Sequence, residues 1–74
     1  MTLHFGLLVF PAVELLDFVG PHEVFASVPD AKVHLLWKSL SPVVSAKGIA
    51  LMPTTSFADC PALDVLCVPG GAGV

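Results

Sequence analysis

The run Leu3 to Phe10, LHFGLLVF, closed by Pro11, limits the possible folds of this chain more than any other stretch. Successive side chains of a strand point to opposite faces, so a nearly continuous apolar run leaves neither face for water. That pattern belongs to a strand in the middle of a parallel sheet. A parallel neighbour cannot be reached through a tight hairpin, so a crossover segment must follow.

Glu14 to Val28 supplies one. Apolar residues at 15, 16, 18, 19, 24, 25 and 28 have helical spacing, interrupted at Gly20-Pro21. Proline fits the first turn of a helix, where its missing N–H is no loss. The spacing therefore predicts a turn at 14 to 19 and a helix from about 20 to 28, stopped by Pro29-Asp30. Lys32 to Leu40, KVHLLWKSL, alternates enough for a second strand with one wetter face. Lys47-Gly48 lies between two β-prone segments and signals a hairpin. TTSFADCPAL reads as a loop with one helical turn capped by Asp59, and DVLCVP as a last buried strand running into GGAGV. The order predicts an α/β fold: a three-layer sandwich around a mostly parallel sheet, of flavodoxin-like type.

The chain is small for such a fold. A domain of 74 residues buries only roughly 60% of the surface its unfolded form exposes. Yet 55% of its residues are hydrophobic and only 12% charged, which argues for part of a longer domain or an obligate assembly. Residues 1 to 74 read as the N-terminal part of a single domain. Six acids face three lysines with no arginine, for a net charge of −3, so no footprint for nucleic acid or anionic membrane exists. The N-terminal stretch lacks a basic leader region, and Pro11, Glu14 and Asp17 interrupt it too early for a spanning helix. The protein reads as cytoplasmic. Cys60 and Cys67 are too few for a disulfide scaffold and match no zinc spacing.

Working groups in parallel sheets gather at the carboxyl ends of the strands. Two such ends are visible here, Phe10 to Asp17 and Pro69 to Val74. Asp17, flanked by Leu16 and Phe18, has two readings. It caps the following helix, or it is a carboxyl group in apolar surroundings, where desolvation favours the protonated form and suits it to acid–base work. Glu14 reads as starting a turn in water and Glu23 as lying in the first helical turn. The glycine-rich turn VPGGAGV can present backbone N–H groups to an anion or oxyanion, but it lacks both the dinucleotide fingerprint and the P-loop Lys-Ser/Thr pair. His4 and His34 read as embedded in strands, and His22 as a helix-surface residue close to the Asp17 turn. Neither cysteine has the setting of an activated thiolate.

The segments LDF followed by Gly20-Pro21, FADCP at 57 to 61 and PGGAG at 69 to 73 resemble the ThiJ/PfpI superfamily, which has the class I glutamine amidotransferase-like fold. The likeness covers essentially the whole chain and is strongest to the isonitrile-hydrating branch. It implies a metal-free and cofactor-free, cysteine-dependent hydration of a small-molecule isonitrile to an N-substituted formamide, in a homodimer. Asp17 matches the acid of that family. Gly71 matches the glycine whose backbone N–H faces the reacting centre, and Gly70 shapes the same turn. The family's cysteine follows the PGG turn beyond Val74, so Cys60 and Cys67 inherit no role, and the chain alone is expected to be inactive. Val19 stands where a threonine is usual. Ligand-sensing domains of AraC-type transcription regulators also resemble this stretch and form the alternative. Other ThiJ/PfpI activities, of glyoxalase or protease type, usually carry glutamate at the acid position, and Asp17 counts against them.

Overall fold

The computed structural model describes residues 2 to 72, so Gly73 and Val74 at the end of the glycine-rich turn lie outside the described residues. Strand β1, Leu3–Leu8, forms the centre of the sheet. The first helix, α1, spans Leu15–Ala26 and crosses to β2, Ala31–Trp37, which lies parallel to β1 with Leu3 opposite Ala31 and Leu8 opposite Leu36. Two short strands, β3 at Val43–Val44 and β4 at Ala50–Leu51, pair antiparallel as a separate hairpin. Its turn places Gly48 at φ 90, open to glycine at no steric cost. The chain then adds β5, Thr55–Ser56, a 3-10 turn at Phe57–Asp59, and β6, Val65–Cys67. The main sheet runs β5-β2-β1-β6, all parallel, which is the α/β architecture read from the sequence.

The face of β1 carrying Phe5 and Leu7 meets α1. Leu7, Val9 and Phe18 form a buried cluster, joined by Leu15, Phe25, Val33 and Leu35. The Phe25 ring stacks on Phe5 with centroids 4.5 Å apart. On the opposite face Gly6 leaves room for Leu63 and Leu36, since a Cβ there would lie 2.5 Å and 2.9 Å from their Cδ1 atoms. Among the described residues the α-helical layer covers one face of the sheet only.

Three expectations are corrected. Gly20-Pro21 does not start the helix: α1 begins at Leu15, Pro21 lies inside it, and Glu23 therefore falls beyond its first turn. An interior proline loses one backbone bond and costs about 3 kcal/mol in an isolated helix. Here Phe18 and Phe25, two turns apart on one side of α1, are both held against the sheet and keep the segment helical across the proline. Asp59 does not cap the 3-10 turn but ends it: Ser56 precedes the turn and donates its hydroxyl to the Asp59 carboxylate at 3.2 Å. Strand β6 is not buried, because it pairs with β1 on one side only, leaving Val65, Leu66 and Val68 exposed.

Candidate active site

Past β1 the chain continues through Val9, Phe10 and Val13, all buried, to the start of α1. Two segments hold this loop by backbone bonds. With one, the Ala12 N–H donates to the Val44 carbonyl at 2.8 Å and the Ala46 N–H donates to the Val13 carbonyl at 2.9 Å. With the other, the Glu14 N–H donates to the Gly70 carbonyl at 2.9 Å and Val13 forms an antiparallel bridge with Gly71. Between them Ala12 takes φ 65, a left-handed conformation that an alanine adopts at a cost of about 1 kcal/mol or more.

The two carboxyl-end segments singled out from the sequence thus form one corner of the molecule. Gly71, at φ 146, lies so close that a Cβ would sit 2.6 Å from the Ala12 carbonyl oxygen and 2.9 Å from the Glu14 nitrogen. Only glycine fits. Over Gly70 lies the carboxylate of Asp17: a Cβ on Gly70 would stand 2.8 Å from Asp17 Oδ2. Asp17, Gly70 and Gly71 are therefore neighbours, although the acid and the glycines come from distant parts of the chain.

Asp17 itself departs from both readings of the sequence. It is exposed rather than buried, and it is the third residue of α1 rather than its cap. The cap position belongs to Glu14, whose side chain makes no capping bond and whose carbonyl accepts the Asp17 N–H at 3.1 Å. Residues adjacent on a helix point in different directions. Phe18 faces the core while Leu16, at 80% exposure, and Asp17 face outward, so apolar neighbours in sequence do not give apolar surroundings. In the first helical turn a carboxylate also meets the favourable end of the helix dipole.

His22 is half-buried on α1, with its ring 6.4 Å from that of Phe18. His4 and His34 are embedded in strands as expected, yet they also touch: His4 Nδ1 lies 3.0 Å from His34 Nε2, and His34 Nδ1 lies 3.2 Å from Thr55 Oγ1. Burial, then the charges of His4 and Lys32, hold the His34 pKa below the ordinary histidine value. Cys60 and Cys67 are free thiols. Cys60 donates to the Pro61 carbonyl at 3.3 Å, and Cys67 packs against the Leu7, Val9 and Phe18 cluster. Sequence reasoning overlooked the backbone clamp from Val44 and Ala46, because main-chain groups leave no mark on residue type. The His4–His34 contact did carry a signal, since both lie on the parallel neighbours β1 and β2 of the crossover unit, with Lys32 opposite His4 and Gly6 opposite His34.

No family model matches the sequence. Among curated proteins, the isonitrile hydratase of Pseudomonas putida is 61% identical over all 74 residues, which span 32% of its length. Among solved structures, a ThiJ/PfpI family protein from Pseudomonas syringae superposes with a TM-score of 0.93 at 43% identity, covering 99% of this chain and 31% of that one. Drosophila melanogaster DJ-1beta shares the fold with a TM-score of 0.88 at 24% identity, covering 99% of this chain and 40% of that one. The chain spans about a third of the length of the curated relative. Along its whole length the chain is thus similar in sequence and fold to the isonitrile hydratase and the ThiJ/PfpI family protein, and it shares its fold with DJ-1beta.

Proposed function

We propose that this chain carries the acid and the glycine turn of an isonitrile-hydrating site. The observation that carries the reading is the seat of the Asp17 carboxylate over Gly70, at the carboxyl ends of β1 and β6. Its chemical identity is supported by the 61% identity to the Pseudomonas putida isonitrile hydratase. In the reaction the Asp17 carboxylate takes the thiol proton as a cysteine sulfur bonds to the terminal isonitrile carbon, and then delivers that proton to the carbon. Water then adds across the resulting carbon–nitrogen double bond, its hydroxyl to carbon and a proton to nitrogen. The carbon–sulfur bond breaks as the hydroxyl proton returns to sulfur, leaving the N-substituted formamide. Asp17, exposed and within reach of a ligand above Gly70, relays the protons. Gly71 leaves the backbone close enough to polarise the adduct.

Neither Cys60 nor Cys67 supplies the sulfur in this reading. The first bonds to its neighbouring carbonyl, and the second lies in an apolar cluster without a cation to hold a thiolate. The chain of 74 residues alone then gives no formamide, and turnover by it would overturn these roles. In a protein joining these residues to a cysteine-bearing remainder of the domain, Asp17→Asn lowers turnover about 10²- to 10⁴-fold with the fold intact. A near-normal rate, followed by formamide release, would remove Asp17 from the chemistry. The reading includes a cytoplasmic setting, supported by two free thiols, and a homodimer, supported by the exposed apolar residues Leu16 and Val24 on α1.

A further inference from the structure

Ser45 touches neither Asp17 nor the glycine turn, yet it stands at the root of the clamp that fixes both. It is buried, at 4% exposure, between Val44 and Ala46, the two residues whose backbones grip Ala12 and Val13. Three bonds lock it in place. Its N–H donates to the Ile49 carbonyl at 2.8 Å, its hydroxyl accepts the Ile49 N–H at 3.0 Å, and its carbonyl accepts the Gly48 N–H at 3.0 Å. The path onward is continuous. Ala12 and Val13 are held at 2.8 and 2.9 Å, Val13 bridges Gly71, Glu14 bonds Gly70, and Gly70 lies under the Asp17 carboxylate. Ala12 at φ 65 lies between the two grips, a conformation that persists only while its surroundings impose it.

We infer that Ser45 is a positioning residue for Asp17, acting through the hairpin grip on Ala12 and Val13. The inference rests on the acid–base role proposed for Asp17, but its geometry and its test do not require turnover. The hairpin supplies no atom to the reaction. It sets the approach of the Pro11 to Glu14 loop to the glycine turn, and thus where the first turn of α1 places its carboxylate.

The experiment compares the full chain with Ser45→Ala and Gly48→Ala by amide exchange and by the carboxyl carbon resonance of Asp17. Ser45→Ala removes one acceptor, and Gly48→Ala strains the turn at φ 90 without a steric clash, because nothing lies within 4 Å of the added Cβ. Both variants are expected to speed exchange at Ala12, Glu14, Ala46 and Ile49 about three- to tenfold and to move the Asp17 resonance, while Leu7 and Leu35 in the sheet are unchanged. Exchange that rises only at Gly48 and Ile49, with Asp17 unmoved, would overturn the inference. So would a uniform rise across the sheet, which marks a merely structural serine. Absence of hydration activity in a complete domain would instead count against the proposed reaction and leave this coupling standing.

Discussion

Gly70 and Gly71 are adjacent, yet their surroundings make opposite demands on a substituent. At Gly71 an added Cβ meets backbone, the Ala12 oxygen at 2.6 Å, and the φ of 146 is itself strained for alanine. Nothing there can yield cheaply, so Gly71→Ala is expected to destabilise the chain by about 2 kcal/mol or more, read from its urea midpoint. At Gly70 the added Cβ meets only Asp17 Oδ2, the free end of a side chain, at 2.8 Å. Gly70→Ala is expected to change stability by no more than about 0.5 kcal/mol, read from the urea midpoint, while displacing the carboxylate, seen in the Asp17 resonance. His34 gives a second residue-scale prediction. Burial, His4 and Lys32 lower its folded pKa, whereas the unfolded chain takes up a proton near 6.5. The folded state therefore binds the proton less readily, and its stability contribution is complete above that value and lost as pH falls below it. Urea midpoints between pH 7.5 and 5 should fall more steeply for the wild type than for His34→Gln. At this scale the sequence singled out Asp17, Gly70 and Gly71, which the structure brings together, but misjudged the acid's burial. Leu16 and Phe18 neighbour the acid in sequence only, because a helix turns adjacent side chains away from each other.

Among the elements, α1 was legible as a helix and illegible in its start. Gly20-Pro21 is a strong local breaker, and only the packing of Phe18 and Phe25 on the sheet, which no local window contains, shows why the helix runs through it. An interior proline leaves room for improvement, so Pro21→Ala should raise stability by about 1 kcal/mol or more, measured by urea or thermal unfolding. A helix beginning at Gly20 would predict a loss instead. The hairpin was read correctly from Lys47-Gly48, since turn chemistry is local. Strand β5 was not, because two residues, Thr55 and Ser56, are too few to show alternation and become a strand only by pairing with Leu36 and Trp37. Asp64 to Pro69 was recognised as a strand, but composition does not reveal whether a strand has one neighbour or two.

For the molecule as a whole, the parallel sheet and its single helix layer leave apolar surface uncovered. Leu66, at 57% exposure, and Val65 line the β6 edge, while Leu16 and Val24 stand out from α1. Sedimentation velocity is expected to show concentration-dependent association of this chain, reduced by Leu66→Lys, because charge on an exposed edge strand opposes edge pairing. A single monomeric boundary at every concentration would contradict that expectation. The parallel order also has a consequence in time. Strands β1 and β2 meet across one helix, but β6 reaches β1 only after nearly all intervening residues have been made, as the paired Asp64 N–H and His4 carbonyl at 2.8 Å record. At about 5 to 20 residues per second, a nascent chain holds Asp17 for several seconds before Gly70 and Gly71 emerge. The corner where Asp17 meets the glycine turn thus forms only after β6 has been made, and a ribosome paused before Gly71 displays an acid whose seat has not yet been built.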